Sequence, residues 1–276
     1  MENAHYTWVN GEPDANLAIT DRGLAFGDGL FETIRVEQQQ APLLAYHLQR
    51  LQCGAERLGI GFPEARIKAD MAAAMQQATA GCWRLKYILT RGNSVSGYQA
   101  CPSLQPNRIM QLQPFTRDVP MLQQQGVQLR YCDWRLAQQP ALAGLKTLNR
   151  LDQVMARQEW QDDSIFEGLM ADQQGHWVEG TMSNLFVVQQ GHLLTPSLEQ
   201  AGVAGVMRRV VLELAADAGI PCSETVLADF NRCDEVFITN ALIGIVPAVA
   251  LAGQQWPVGP ITRRLQQHLH EKQRVK

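Results

Sequence analysis

The sequence predicts a mixed α/β protein with two domains, and three observations support this. The chain has 276 residues, which exceeds the length of about 100–150 residues that is commonest for a single domain. Strand-like and helix-like patterns follow one another in both halves. The segment Gln113–Pro120 carries Pro114 and Pro120 and interrupts these patterns. We therefore expect a smaller N-terminal α/β domain at 1–113, a linker at 114–121 and a larger C-terminal α/β domain at 122–276.

The N-terminal half is predicted to be rich in strands. The pair Asn10-Gly11 follows the short run Thr7–Val9 and is typical of a tight turn between strands. Residues 31–36 alternate, with Phe31, Thr33 and Arg35 on one face of a strand. The elements expected here are strands at 7–9, 31–36, 85–90 and 109–112 and helices at 43–58 and 63–80.

The C-terminal half is predicted to alternate strands with helices. Residues 206–218 carry apolar side chains at helical spacing, and Gly219 marks the end of that helix. Turn-forming residues at 172–175 separate two apolar runs and predict a hairpin. The elements expected here are strands at 127–132, 166–171, 177–178, 185–188 and 235–239 and helices at 148–160, 206–218 and 261–272.

Composition excludes several classes of function. The net charge is -3, so the chain lacks the basic surplus typical of nucleic-acid binding. No apolar stretch is long enough to span a bilayer, and the N-terminus does not resemble a signal peptide. The 6 cysteines are scattered without a C-x-x-C pair or zinc spacing. We expect a cytoplasmic protein with reduced thiols, no bound metal and no membrane or nucleic-acid partner.

Lys146 is the most informative residue of the chain. It stands alone among small and apolar residues in the segment Leu142–Leu151. An ammonium group is costly to bury unless it is paired or neutralised. A Schiff base with an aldehyde cofactor would neutralise it and would make the protein an enzyme. The alternative is that Lys146 lies at a strand end and extends its ammonium into water.

Glu179 follows a predicted strand and precedes the polar residues Thr181, Ser183 and Asn184. A carboxylate beside the pyridine nitrogen of a cofactor would keep that nitrogen protonated, so that the ring withdraws electrons from the substrate. The alternative is a glutamate in a hairpin turn. The hydroxyl and amide groups that follow can hold either a ligand or a turn.

The start of the predicted helix at 206–218 is a candidate phosphate site. Small residues at Gly202–Gly205 would let backbone approach an anion, and the N–H groups of Val206 and Met207 in the first turn would be available to bind it. The alternative is an ordinary junction between loop and helix. The segment is neither a P-loop nor a dinucleotide-binding fingerprint, because the residues that define those motifs are missing.

Two further polar positions are candidates for ligand binding. Thr239 and Asn240 stand at the end of a predicted strand, where they could meet a ligand or cap the strand. Arg50 lies on a predicted helix, and its guanidinium could hold a phosphate in fork geometry or simply be solvated. His47 is expected to be a buried or boundary histidine with its hydrogen bonds satisfied, and not a catalytic residue.

These segments, in this order, resemble the class IV aminotransferases, which are fold-type IV pyridoxal-phosphate enzymes. The opening motif at 21–33, Asp-Arg-Gly-Leu-Ala-Phe-Gly-Asp-Gly-Leu-Phe-Glu-Thr, is specific for that superfamily, and the resemblance covers nearly the whole chain. It implies pyridoxal 5'-phosphate as the cofactor and a homodimer. It also implies a role for each matching position: Lys146 carries the cofactor, Glu179 pairs with the pyridine nitrogen, and Arg50, Val206, Met207 and Asn240 contact the phosphate.

Within the family, segments 142–154, 202–208 and 240–242 resemble a lyase more than the transaminases. The substrate of that lyase has two carboxylates, so cationic partners are expected. Arg91 with the loop that leads to Tyr98 is one candidate and Thr33 is another; the alternatives are a solvated loop arginine and an ordinary sheet residue. A D-amino acid or branched-chain transaminase and a non-catalytic binding protein remain the rival functions.

Overall fold

The computed structural model describes residues 5–274, and the chain divides into two compact units. Unit 1 runs to Arg117 and also takes in Lys146–Asn149. Unit 2 contains Asp118–Leu145 and the chain from Arg150 onward. The division after Arg117 falls inside the segment 114–121 that we predicted as a linker. The predicted domain at 122–276 was continuous, whereas here the chain returns to unit 1 at Lys146–Asn149.

Unit 1 consists of an antiparallel sheet of five strands, in the order β2-β1-β5-β4-β3, with helices connecting them. Its elements are β1 (Tyr6–Val9), β2 (Glu12–Pro13), α1 (Arg22–Phe26), β3 (Gly29–Glu37), α2 (Leu44–Leu58), α3 (Glu64–Gln76), β4 (Cys82–Thr90) and β5 (Arg108–Pro114).

Local sequence explains most of these elements. Asn10 and Gly11 both have positive φ, of 56° and 92°, and form the predicted turn between β1 and β2. The predicted alternation of β3 is confirmed, since Glu32, Ile34 and Val36 are buried while their neighbours are half-buried. Helix α2 ends at Gly59, which has the left-handed conformation typical of a C-terminal cap.

Helix α1 was not predicted. Asp21 caps it, and its Oδ1 accepts a hydrogen bond from the backbone N–H of Leu24 at 3.0 Å. Gly27 ends the helix in the left-handed region with φ 66°. The helix has 5 residues, too few for an apolar periodicity to be visible in the sequence, so only its two caps could have indicated it.

Residues 146–148 pair with the edge of β3. The backbone N–H of Phe31 donates to the carbonyl of Lys146 at 3.0 Å, and the N–H of Leu148 donates to the carbonyl of Gly29 at 3.0 Å. Thr147 is bridged to Leu30 between them. Our predicted helix start at Leu148 is therefore wrong, and helix α5 begins at Leu151. Leu148 has a good helical propensity, but its backbone pairs with β3 instead.

Unit 2 contains a sheet of nine strands and four helices among the described residues. Its elements are α4 (Val119–Gln125), β6 (Val127–Leu136), α5 (Leu151–Arg157), β7 (Ile165–Asp172), β8 (Trp177–Gly180), β9 (Asn184–Gln189), β10 (His192–Pro196), α6 (Val206–Asp217), β11 (Cys222–Thr225), β12 (Glu235–Asn240), β13 (Gly244–Leu251), β14 (Gln254–Gln255) and α7 (Pro260–Arg274). The sequence did not predict α4, β10, β11, β13 or β14.

Six of these strands form a closed ring of pairings. The order is β9-β12-β13-β6-β7-β8, and β8 returns to β9 through the pair Glu179 and Asn184. Closure leaves no free edge within the ring. Phe186 on β9 and Phe237 on β12 are fully buried, and their rings stack at 4.9 Å between centroids. Glu179 therefore lies where the ring closes.

Two other predictions concern the whole chain. Each of the 6 cysteines is free, as expected for reduced thiols. Among the described helices, none combines the length and the hydropathy needed to cross a bilayer.

A pair of glycines in one loop of unit 1 tests the fold. Gly92 has φ +104°, and a Cβ there would lie 1.9 Å from the carbonyl oxygen of Gln105, whereas the Cβ position of Gly97 has no atom within 4 Å. We expect Gly92→Ala to lower the free energy of unfolding by about 1–3 kcal/mol, because a strained φ and a backbone clash coincide. Urea denaturation measures this. Gly97→Ala is the control and should change stability by less than about 0.5 kcal/mol; equal effects of the two changes would contradict the loop geometry.

Candidate functional site

Lys146 is half-buried in unit 1, on the segment paired with β3. Its backbone carbonyl is fixed by Phe31, and its Nζ lies 4.2 Å from the centroid of the Phe31 ring. The aromatic face stabilises a cation, and its apolar surface limits the access of water. Lys146 is thus held at both ends, by a backbone hydrogen bond and by a ring contact, which is suitable for a lysine that acts as a nucleophile or base.

A second lysine, which the sequence reading missed, shares that face of the sheet. Lys86 on β4 pairs in register with Thr33, and its Nζ lies 5.5 Å from the centroid of the Phe31 ring. Thr33 and Phe31 project from the same face of β3, because they are two residues apart. The alternation in Arg84-Leu85-Lys86-Tyr87 was the signal for it, since it places Lys86 on the less buried face of β4. Unit 1 therefore gathers Lys146, Thr33 and Lys86 around one ring.

The opposite, buried face of β3 carries an ionic cluster that we name the Glu32 cluster: Glu32, His47 and Arg50. The Nε of Arg50 donates to Glu32 Oε1 at 2.8 Å, and its Nη2 donates to Glu32 Oε2. Nδ1 of His47 lies 2.6 Å from the same Oε2. Glu32 and His47 are each 1% exposed, whereas Arg50 is 16% exposed. The predicted phosphate arginine is thus held in fork geometry by a carboxylate of its own unit.

The protonation states of the Glu32 cluster follow from these contacts. Burial tends to raise the pKa of Glu32, but the charge of Arg50 and the side-chain hydrogen bonds from His47 and Arg50 outweigh it and lower that pKa to about 2. Burial is the main cause that lowers the pKa of His47, and the cations Arg50 and Lys146 act in the same direction, against the effect of Glu32. At neutral pH the cluster therefore holds an ionised Glu32 and a neutral His47 that donates from Nδ1. The prediction that His47 is buried is confirmed. Its hydrogen bonds are not all satisfied as predicted, because Nε2 has no partner among the described residues.

Arg91 makes contacts that favour a structural role. Its Nε donates to Asp28 Oδ2 at 2.7 Å, and its Nη1 and Nη2 donate to the carbonyls of Gly59 and Leu58 at 2.6 and 2.8 Å. These carbonyls belong to the end of α2, where a cation is favourable. Arg22 binds the same Asp28 oxygen at 2.9 Å. A role for Arg91 as a substrate contact stays a prediction. The alternative of a solvated loop arginine does not describe it either, because its guanidinium is bonded to Asp28 and to the end of α2.

Glu179 is buried in unit 2, with 4% of its surface exposed. Its Oε2 accepts a hydrogen bond from the backbone N–H of Val203 at 2.8 Å, and Nε2 of Gln153 lies 3.4 Å from its Oε1. The guanidinium of Arg150 is close enough to interact with it electrostatically. Glu179 is thus held by two N–H donors beside a cation, an arrangement that suits a partner of a protonated ring nitrogen.

The predicted helix start is confirmed, since α6 begins at Val206. Gly205 is its N-cap and provides no side-chain hydrogen bond to the first turn. The preceding loop is fixed by Glu179 through Val203 N–H and by Asn184, whose Nδ2 donates to the Val203 carbonyl at 2.8 Å. A Cβ on Gly205 would lie 1.9 Å from Asn184 Oδ1, so only glycine fits there. The helix terminus is rigidly held and presents backbone N–H groups suited to an anion.

The two polar residues at the end of β12, Thr239 and Asn240, have different contacts. Oδ1 of Asn240 accepts hydrogen bonds from the N–H groups of Leu242 and Ile243 at 2.9 and 3.1 Å, and its Nδ2 donates to the Met182 carbonyl at 3.2 Å. Asn240 thus caps the end of β12, which agrees with the alternative of a strand cap. Thr239 is fully buried, and its Oγ1 has no hydrogen-bond partner among the described residues. Phosphate binding by Asn240 stays a prediction.

The polar residues that follow Glu179 hold a turn. Thr181 and Ser183 donate their hydroxyls to the buried carboxylate of Glu167 at 2.6 and 2.7 Å. Backbone N–H groups of Gly168, Thr181 and Met182 donate to the same carboxylate. These five hydrogen bonds order the connection from β8 to β9, between the paired residues Glu179 and Asn184.

The residues present fit a phosphate-bearing pyridine aldehyde. Unit 1 offers a primary amine at Lys146, held against an aromatic face, and a carboxylate-oriented guanidinium at Arg50. Unit 2 offers a helix N-terminus at Val206 without a side-chain cap, a buried carboxylate at Glu179 and the buried hydroxyl of Thr239, which has no partner in the described part of the chain. An amine suits an aldehyde, a cation and N–H groups suit phosphate, and a carboxylate suits a protonated ring nitrogen.

Comparison with known proteins tests the resemblance stated above. An aminodeoxychorismate lyase from Vibrio harveyi is 35% identical over 273 residues, which are 95% of this chain and 99% of that protein. A putative branched-chain-amino-acid aminotransferase from Methanocaldococcus jannaschii is 31% identical over 276 residues, with 94% and 93% covered. The crystal structure of 4-amino-4-deoxychorismate lyase from Pseudomonas aeruginosa is similar with a TM-score of 0.91 and 44% identity, over 96% of this chain and 98% of that one.

The family is shown directly by the pattern described as amino-transferase class IV, which matches residues 29–251. That range includes β3 with Glu32, the segment of Lys146, and the strands and helix that carry Glu179 and Val206. The mixed α/β fold-type IV architecture expected from the sequence is confirmed by the same comparisons. The chain belongs to the class IV aminotransferase family.

Proposed function

We propose that the protein is a pyridoxal-phosphate-dependent lyase that converts 4-amino-4-deoxychorismate to 4-aminobenzoate and pyruvate, a step of folate biosynthesis. The 44% identity over 96% of the chain to a lyase of that name is the single observation that carries the proposal. The contacts around Lys146, Arg50 and Glu179 support it, because they provide the amine, cation and carboxylate that the cofactor requires.

Each predicted residue has one role in this proposal. Lys146 holds the cofactor covalently, Arg50 and the backbone N–H groups of Val206 and Met207 bind its phosphate, Asn240 adds a polar contact, and Glu179 binds the pyridine nitrogen. When bound, pyridoxal 5'-phosphate supplies an electron sink for the bond that breaks at the substrate. The protein's own contribution is to orient these groups and to place bases and acids near the substrate.

The proton transfers are assigned to Lys146. Its Nζ would act as the general base that removes the proton from C4 of the substrate. The enolpyruvyl group then leaves, and the same Nζ is placed to return a proton to it. The ring of Phe31, whose centroid lies 4.2 Å from Nζ, supports this role, because it holds the amine in place and limits the access of water.

The substrate carboxylates need cationic or hydroxyl partners. We propose Thr33 as a contact, and Lys86, its partner in register, as a cation on the same face. Arg91 is less suited, since three of its nitrogen atoms already donate to Asp28 and to the end of α2.

We also infer a homodimer in the cytoplasm. In unit 2 the helix α5 exposes Leu151, Val154 and Met155 with exposed fractions of 75%, 48% and 39%. Val154 and Met155 lie three and four positions after Leu151, so the three side chains form one apolar stripe on the helix. An exposed apolar stripe is typical of a protein interface, and a second copy of the chain is the partner that the family resemblance implies.

Separate assays distinguish the lyase from a transaminase, the second candidate that is favoured by the 31% identity to a putative aminotransferase. The lyase should release 4-aminobenzoate and pyruvate from 4-amino-4-deoxychorismate without any keto acid. D-alanine or a branched-chain amino acid with 2-oxoglutarate should give little amino transfer. Chromatography of the products measures both. Amino transfer without release of 4-aminobenzoate would contradict the proposal.

Two buried glutamates of unit 2 provide a matched test of Glu179. In Glu179→Gln an amide oxygen can still accept from Val203 N–H, but the negative charge is lost. We expect kcat to fall by at least about tenfold, equivalent to about 1.4 kcal/mol of transition-state stabilisation, with the melting temperature little changed. Glu167→Gln should instead lower the melting temperature, because a carboxylate that accepts five hydrogen bonds is replaced. Unchanged kcat in Glu179→Gln would sink the assigned role.

A further inference from the structure

We propose that Glu32 and His47 are positioning residues for cofactor phosphate binding, and that they act by fixing the guanidinium of Arg50 in one orientation. This inference rests on the proposed function, since it assigns Arg50 to the phosphate of pyridoxal 5'-phosphate. It adds two residues, neither of which contacts the phosphate in the proposal. All three residues belong to unit 1.

The first support is the geometry between Glu32 and Arg50. Both carboxylate oxygens are used, Oε1 by Arg50 Nε at 2.8 Å and Oε2 by Arg50 Nη2. A two-point contact fixes the plane of the guanidinium as well as its position, which a single contact cannot do. Glu32 is itself held on β3 by its pairing with Tyr87 of β4. The orientation of the Arg50 guanidinium is therefore fixed by the sheet, through Glu32, as well as by its own helix α2.

The second support is the position of His47. It lies on α2 one turn before Arg50, at a spacing of three residues, so that both side chains reach the same carboxylate. Nδ1 of His47 is 2.6 Å from Glu32 Oε2, the oxygen that Arg50 Nη2 also contacts. A neutral histidine that donates here restrains the carboxylate without repelling the arginine. His47 Nε2 is buried and has no partner among the described residues, so the ring has one hydrogen-bonding function in this structure.

The third support is energetic. Burying a carboxylate and a guanidinium gains little stability compared with burying apolar residues of similar size. A buried cluster of this kind is therefore better explained by orientation than by stability. Arginine loses freedom when it binds phosphate, and an arginine already fixed in direction loses less of it. Removing Glu32 should thus weaken the binding of phosphate more than the binding of the rest of the cofactor.

Unit 1 contains a matched control. Asp70 and Arg108 form a second buried pair, with Nε and Oδ2 at 2.6 Å and side-chain exposures of 9% and 8%. Arg108 also donates to the carbonyl of Asn10, so this pair ties β5 to α3 and to the first turn. The Asp70→Asn change removes a buried carboxylate from an arginine in the same unit and leaves the Glu32 cluster intact. The Asp70→Asn variant therefore shows how far the loss of a buried ion pair weakens cofactor binding through destabilisation of the unit alone.

The experiment compares two probes. Apparent dissociation constants of pyridoxal 5'-phosphate and of phosphate-free pyridoxal are measured by absorbance titration of the cofactor-free wild type, Glu32→Gln and Asp70→Asn, with a melting temperature for each. We expect Glu32→Gln to raise the dissociation constant of pyridoxal 5'-phosphate at least about tenfold and to leave the dissociation constant of pyridoxal unchanged. Asp70→Asn should change neither constant. Equal affinities in Glu32→Gln and wild type, or equal losses for both probes, would overturn the inference.

His47 keeps the test decisive if Glu32→Gln fails to fold. His47→Asn retains a donor near the position of Nδ1, and His47→Leu removes it. The leucine variant should bind pyridoxal 5'-phosphate several-fold more weakly than the asparagine variant, again with pyridoxal unaffected. Identical behaviour of the two variants would overturn the inference. A wild type that binds neither probe refutes the proposed function itself, whereas failure of the inference alone leaves wild-type binding intact.

Discussion

Backbone hydrogen bonds between residues 146–148 and the edge of β3 are the constraint on which the candidate site of unit 1 depends. They place Lys146 next to Phe31, so that its Nζ lies over the aromatic ring. The same strand separates two kinds of side chain by simple alternation: Phe31 and Thr33 on one face, and Glu32 on the other. One strand therefore organises both the candidate nucleophile and the carboxylate that orients Arg50.

In unit 2, Glu179 also takes part in both the fold and the candidate site. This residue closes the ring of strands by pairing with Asn184, and both side chains then hold the loop that leads into α6. The carboxylate assigned to the ring nitrogen and the helix start assigned to phosphate are thus parts of one hydrogen-bonded unit. A change at Glu179 can be expected to disturb the phosphate-binding backbone unless the replacement still accepts from Val203.

The sequence predicted those parts that depend on local chemistry. The alternation of β3, the helix α2 and the start of α6 at Val206 follow from periodicity and capping. Contacts between distant segments could not be predicted from local sequence: Glu32 meets Arg50 across 18 positions. Likewise Leu148, where the predicted helix began, pairs with Gly29 of β3. Asn240 was assigned by resemblance, and its turn contacts appear only in the fold. Contacts that depend on the packing of distant elements therefore could not be predicted from the sequence.

The most direct test of the account concerns Lys146. The protein, loaded with pyridoxal 5'-phosphate, is reduced with borohydride, which makes the bond between cofactor and lysine permanent, and is then digested and mapped by mass spectrometry. We predict that the label is found on Lys146 and that Lys146→Ala abolishes both the label and the visible absorbance, whereas Lys86→Ala, which removes the other lysine beside Phe31, retains them. A label on Lys86, or a colourless wild type after exposure to the cofactor, would contradict the account.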